Sequence, residues 1–496
     1  MSVLAALAKA EAVRAGRAQA TAAVRHLHLA ERPLVAIPLR LAGEAAAPVA
    51  IMIGTSPGDQ NVLTVPQPRD RVLRLRFIEQ LADVVLPYLS SFLVDTEELT
   101  SKAGETYTRC LDAPQMWTPN PGGVNFLKLL GRSVRFHRVD GDNPVPASIP
   151  LLGRWLTWFG DRAEHPGSAV LPAMTAALAG HWASGQSSLE DGNLAALLGW
   201  IDPPVGLTGA EAAALAEDPL LCPPAGPATD PGFDNEELAP LIAAYNDALD
   251  DSARSVAAER LERSLRGQLE PTWQLMWRSI ELLAALPEGA SVEDRWTADR
   301  GAFSRFAADV AEGIPQARRD SAVPAVRRLL ERERALEALQ AQCAFDDPLL
   351  MLEHRVSGAA FRGTVVHCEP ERLDRSGARP KLRPHIHIRT TDPFVAAVGE
   401  ELTCVERPKQ TGHVVEVDSD GFVLELSGGM GRKLVADPGS VPEEGDELGF
   451  ARFKPTPFNG MLNLPAREET PWTHGGPPPE WVPTEDDEEE LSDHAG

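Results

Sequence analysis

Apolar and polar positions recur with three successive periods along this chain. Residues 34–41 (LVAIPLRL), 47–55 (APVAIMIGT) and 61–65 (NVLTV) are β-branched runs parted by small or polar residues, the pattern of a small sheet or hairpin meander. At 71–93 the spacing becomes helical, with Leu75, Ile78, Leu81, Val85 and Leu89 three or four apart. Strands followed by a helix predict an α+β opening module. The chain is then irregular and aromatic from about 114, with Trp155 and Trp158 three apart on one helical face, the place of a core or subdomain contact.

Residues 241–345 keep helical spacing almost throughout. Leu261, Leu265, Leu269, Trp273 and Trp277 recur every four residues, and Pro271 is expected to kink that rod or start a new helix. In 325–345 Arg and Glu interleave at spacings that permit pairs along the helix. Near 355 the period falls to two. The runs 361–368, 381–390, 401–406, 412–417, 422–427 and 447–453, separated by Gly and Asp turns such as 418–421, predict a small, bent β-barrel of the OB or SH3-like kind.

The expected fold is therefore α+β: an α+β and helical N-terminal region (1–201), a Pro/Gly-rich linker or strap (202–240), a helical region (241–354), the barrel (355–466) and a tail (467–496). The tail is Pro-rich and then almost purely acidic, a composition that predicts disorder.

Charge and cysteine content narrow the setting. The 496 residues carry 72 acids against 47 bases, a net charge of −25, which argues against a general cationic coat for nucleic acid or membrane. The division is uneven: −8 for 1–239, −6 for 240–354, −2 for 355–466 and −9 for the tail. Five scattered cysteines without a Cys-x-x-Cys pair fit a reducing, cytoplasmic setting. The first thirty residues are interrupted by Lys9, Glu11, Arg14 and Arg17 and read as a surface helix, and no apolar run is long enough for a membrane span.

Candidate chemistry concentrates in the barrel. On strand 381–389 the alternation puts Leu382, Pro384, Ile386 and Ile388 on one face and Lys381, Arg383, His385, His387 and Arg389 on the other. That polar face is the candidate nucleic-acid surface, joined by Lys409, Arg432 and Lys433, while Gly428, Gly429 and Gly431 form a candidate phosphate nest. His385 and His387 share a face at a spacing compatible with joint metal ligation, with His367, His413 or Cys368 the local sources of a third ligand; no metal is assigned. The P-loop, G-x-S-x-G and H-E-x-x-H patterns are absent, so no cofactor and no catalytic residue is assigned.

Two resemblances add to this. At PQMWTPNPGG (114–123), GRWLTWFGDRAEHPGS (153–168), LLGWIDPP (197–204), CPPAGPATDPGFDNE (222–236), QLEPTWQLMWR (268–278) and ELSGGMGRK (425–433), the chain resembles an uncharacterised family of actinobacterial proteins, which implies a bacterial cytosolic protein. Residues 411–429 followed by 441–450 are similar to the small β-barrel of superfamily 1 helicases of the nonsense-decay type. The motor motifs of such helicases are not in the chain. The likeness thus implies an accessory subunit beside a separately encoded ATPase or helicase. The expected function is a non-enzymatic accessory protein whose barrel touches single-stranded nucleic acid, with the acidic tail competing for that face. A scaffold that binds proteins through the helices at 252–286 and 325–345 is one alternative, and an enzyme with an unfamiliar, metal-dependent site is another.

Overall fold

The computed structural model of the protein describes residues 3–101, 104–418 and 421–456. The expected tail, residues 457–466 of the expected barrel segment and the centre of the 418–421 turn lie outside these residues. Helix α1 (Val3–Ala15) leads into strands β1 (Leu34–Arg40), β2 (Pro48–Gly54) and β3 (Asn61–Thr64), which pair antiparallel as the three apolar runs predict. Helix α2 (Arg71–Ser91) follows; the Asp70 carboxylate caps it, accepting from the amides of Val72 at 2.7 Å and Leu73 at 3.0 Å. A hairpin, β4 (Thr96–Thr100) and β5 (Thr106–Cys110), has no apolar alternation to announce it. Strand β6 (Met116–Trp117) then returns parallel to β1, giving the order β3-β2-β1-β6.

Five helices complete two layers: α3 (Pro121–Val134), α4 (Ser148–Ala163), α5 (Leu194–Ile201), α6 (Asp251–Ala284) and α7 (Val292–Ala311). Leu34, Ala36, Ile51 and Ile53 share a core with α2, α3, α4 and α7. Val35, Ile37, Leu39 and Met52 look the other way and share a core with α5 and α6. The sheet is thus covered on both faces, and β1 and β2 read as unbroken apolar runs for that reason.

Two readings of the sequence change here. The apolar residues Leu261, Leu265, Leu269 and Trp273 of α6 are buried against the N-terminal sheet and form a core surface there. Helix α6 also runs through Pro271 without a break, with Leu269 and Trp273 packed on either side. Within 202–240, Gly226 and Pro227 are tied to the N-terminal region: the Arg40 amide donates to Pro227 O at 2.8 Å, and Asn120 Nδ2 donates to Gly226 O at 2.7 Å while the same side chain caps α3.

Helices α8 (Ala322–Asp346) and α9 (Pro348–Val356) lead to the barrel. Its strands are β7 (Ala360–Glu369), β8 (His385–Thr390), β9 (Glu401–Cys404), β10 (Thr411–Val417), β11 (Gly421–Ser427) and β12 (Glu447–Ala451). They close antiparallel in the order β8-β11-β10-β9-β12-β7 around Phe361, Ile386, Ile388, Leu424 and Phe450. Phe453, just past β12, packs its ring 5.9 Å from Phe345 at the end of α8, seating the barrel on that helix.

Asp347, between α8 and α9, is fully buried. It caps α9 through the Leu349 amide at 2.9 Å and also accepts from the Ala23 amide at 2.6 Å, tying the N-terminal segment to the helix pair that carries the barrel. No described helix is long and apolar enough to cross a membrane.

Candidate anion-binding cleft

The barrel face predicted from alternation forms, but with its own counter-charges. Ile386 and Ile388 are buried and His385, His387 and Arg389 point outward, as period two requires. Lys381 sits apart, in a two-residue pairing with Asp374, since Arg383 and Pro384 interrupt the strand. Glu425, directly opposite His385 on β11, gathers three bases: Arg372 at 2.7 Å, His385 at 3.4 Å and Arg383 at 3.9 Å. His387 lies 2.7 Å from Asp418, and His367 3.0 Å from Glu444. Arg389 lines a separate hollow of about 420 Å³ with Arg355, Arg362 and Glu447.

The glycine-rich segment is anchored as well. Met430 is buried in the barrel core, and its carbonyl accepts from the Asp437 amide at 3.1 Å. Gly428, Gly429 and Gly431 all have positive φ, and a Cβ on Gly431 would fall 2.6 Å from Oδ2 of Asp437. The loop's neighbouring anion is therefore its own carboxylate. Lys409, Arg432 and Lys433 are exposed around it. The hollow of about 470 Å³ between Leu382 and residues 435–444 is lined by Glu371, Asp437, Glu443 and Glu444 and by none of the predicted bases. Among the described residues no three His, Cys, Asp or Glu side chains gather as metal ligands.

The concentration of positive charge lies in the helical body instead, in a cleft of about 910 Å³ between α3, α4, α7, α8 and the connector 312–321. Helix α3 contributes Arg132 and Arg135, α4 Arg162, α7 Arg305, the connector Arg318 and Arg319, and α8 Arg328 and Arg332. Against these eight arginines the lining holds four acids: Asp161, Asp309, Asp320 and Glu331.

Local packing explains the assembly. Gly153 lets α4 press against the end of α3; a Cβ there would lie 2.6 Å from the Arg135 backbone nitrogen. Arg162 is held from beneath by Asp299 of α7, which is fully buried and accepts from Arg162 Nε at 2.8 Å, Ser168 Oγ at 2.9 Å and the Ala169 amide at 2.8 Å. The connector is fastened by Arg135, which donates to Gln316 Oε1 at 3.3 Å and Ala317 O at 3.2 Å, and by Gln316, which donates to Arg154 O at 3.0 Å. The Arg135 and Arg318 guanidinium groups lie 4.6 Å and 4.9 Å from the Phe136 ring centroid.

Four of the eight have carboxylate partners: Arg132 with Asp161 (3.2 Å), Arg162 with Asp299 (2.8 Å), Arg328 with Asp320 (2.8 Å) and Arg332 with Glu164 (2.7 Å). The pairs of Arg328 and Arg332 thus reach off α8, where the sequence predicts pairs along it. No described carboxylate lies within 4.0 Å of Arg135, Arg305, Arg318 or Arg319. Burial pulls the Arg135 pKa below the ordinary arginine value, chiefly through desolvation. His165, also in the lining, is pushed below 6.5 by burial and by Arg162, so it is largely neutral at pH 7 and the cleft's charge is guanidinium charge.

Trp155 and Trp158 divide their roles. Trp155 is core, packed on Phe303 and Phe306; Trp158 is half-buried, stacks on Phe306 at 5.5 Å and forms part of the cleft wall. Sequence reasoning missed the cleft because its arginines come from five segments spread over some two hundred residues; the available signals were the cluster Arg132, Arg135 and Arg138 and the adjacent pair Arg318 and Arg319.

Comparison with protein-family models, with curated proteins and with solved structures gives no match.

Proposed function

We propose that this chain is a non-enzymatic accessory protein that binds single-stranded nucleic acid, and that the arginine cleft is its phosphate-contacting surface. The observation that carries the proposal is the charge of that cleft: eight arginines against four acids, four of the arginines without a carboxylate partner among the described residues, in a chain of net charge −25. Planar guanidinium forks match phosphate oxygens, and an isolated positive cleft focuses an anion against the overall field. Trp158 supplies ring surface in the same wall, the second component of single-strand binding. The chain has no nucleotide-binding motif, so any strand-moving chemistry is assigned to a separately encoded ATPase or helicase.

Fluorescence anisotropy with a labelled oligothymidylate tests this. The expected result is salt-sensitive binding by the full chain that falls at least about tenfold in Arg135→Glu/Arg318→Glu and is unchanged in Arg383→Glu/Lys433→Glu. Binding that follows the barrel pair and ignores the cleft pair overturns the assignment.

The scaffold reading keeps one specific observation. Leu329 (58 % exposed) and Leu336 (46 % exposed) lie seven residues apart on α8, a spacing that suits a partner helix. A protein complex that resists nuclease and is lost in Leu329→Glu/Leu336→Glu supports that alternative.

A further inference from the structure

We infer that the arginine cleft also takes an acidic peptide, and that the peptide is the chain's own segment Glu485–Glu490. The inference deepens the proposed function, since it makes the tail a competitor at the same surface. Three observations carry it.

The first is complementarity. Residues 485–490 are six consecutive carboxylates. The cleft offers Arg135, Arg305, Arg318 and Arg319 without carboxylate partners among the described residues. Arginine forks bind carboxylate and phosphate with the same geometry.

The second is that the predicted barrel face already holds its own carboxylates. His385 and Arg383 already share Glu425, His387 has Asp418, and the hollow beside Leu382 is lined by acids. A run of carboxylates meets resident carboxylates on that strand face and in that hollow.

The third is reach. Helix α8 runs from the cleft to the barrel's seat: Arg328 and Arg332 line the cleft, and Phe345 holds Phe453 at the other end. At 1.5 Å per residue, the 13 to 17 residues between Phe345 and these arginines span about 20–26 Å. The chain from Phe453 to Glu485 is 32 residues, with a contour limit of about 105 Å. The connecting chain is therefore long enough for the acidic run to meet the cleft of its own molecule, and a covalent connection raises local concentration.

The test uses the full-length chain beside a full-length variant with Glu485, Asp486, Asp487, Glu488, Glu489 and Glu490 changed to Gln or Asn. A synthetic peptide of residues 481–496 serves as a second probe of both forms. The neutralised chain is expected to bind oligothymidylate about tenfold more tightly at low salt, with the gap closing as screening rises. The peptide is expected to bind the neutralised chain and to fail on the same chain carrying Arg135→Glu/Arg318→Glu. Equal oligonucleotide affinity of the two full-length forms, with no peptide binding, overturns the inference while leaving the proposed function standing. Peptide binding that needs Arg135 and Arg318, with no oligonucleotide binding by either form, sustains the cleft as an acidic-peptide site and removes the nucleic-acid reading. Peptide binding unaffected by the arginine reversals overturns the assigned location.

Discussion

Arg162 donates from Nε to Oδ1 of Asp299 at 2.8 Å, and the carboxylate that receives it has no exposure to solvent. Asp299 accepts two further hydrogen bonds, from the Ser168 hydroxyl and the Ala169 amide, so three donors compensate its charge. The pair joins the fold's interior to the cleft's floor.

Removing that acid leaves Arg162 and two donors without their acceptor. Asp299→Ala is expected to destabilise the protein by about 3 kcal/mol, near the low end for a broken buried pair because Arg162 keeps some water access. Urea denaturation of Asp299→Ala beside Asp299→Asn reads this. A midpoint unchanged in the alanine variant contradicts the role given to Asp299.

Gly153→Ala tests the packing that places Arg135. The new methyl meets the Arg135 backbone nitrogen at 2.6 Å, so α3 and α4 must separate. The expected cost is about 1–3 kcal/mol, accompanied by weaker anion binding. Wild-type stability and affinity together in this variant contradict the close approach.

How much of this was legible in the sequence depends on the range over which each feature is decided. The six barrel strands follow from local alternation, and the buried positions Ile386, Ile388, Leu424 and Leu426 fall where period two puts them. The outward face of 381–389 was legible as polar, but its carboxylate partners were not, because Glu425 and Asp418 lie 29 or more residues further along and meet it only through strand pairing. The commitment of α6 to the N-terminal sheet, and the cleft itself, depend on helix packing between distant segments, which no local period encodes.

The buried histidines His26, His28 and His181 predict an acid-sensitive stability. Burial lowers the pKa of all three below 6.5. His181 Nε2 accepts from the His26 amide at 3.1 Å, and His181 Nδ1 lies 2.7 Å from Ala177 O, so the hydrogen bonds assign a neutral ring protonated at Nδ1. Between the native pKa values and 6.5 the unfolded chain binds more protons than the folded one. The stabilisation from these neutral rings is therefore complete above about pH 6.5 and is lost as pH falls below it. The urea midpoint is expected to drop from pH 7.5 to pH 5.5, and His181→Gln is expected to lessen that drop. A drop of the same size in the variant counts against His181.

Anion binding is expected to differ from stability in its pH profile. The cleft's cations are arginines and His165 is held below 6.5, so affinity measured between pH 7 and pH 9 stays flat. An affinity that falls steeply from pH 6 to pH 7 would place a histidine in the contact and contradict the arginine assignment.

The most direct measurement is the salt dependence of oligothymidylate binding. Each phosphate neutralised on a single strand contributes about 0.7 to the slope of log affinity against log salt. Four arginines without carboxylate partners among the described residues predict a slope of about −3 for the tail-neutralised full-length chain, and Arg135→Gln/Arg318→Gln/Arg319→Gln is expected to leave about −1. A slope that is the same in both proteins would contradict the claim that the arginine cleft holds the phosphates.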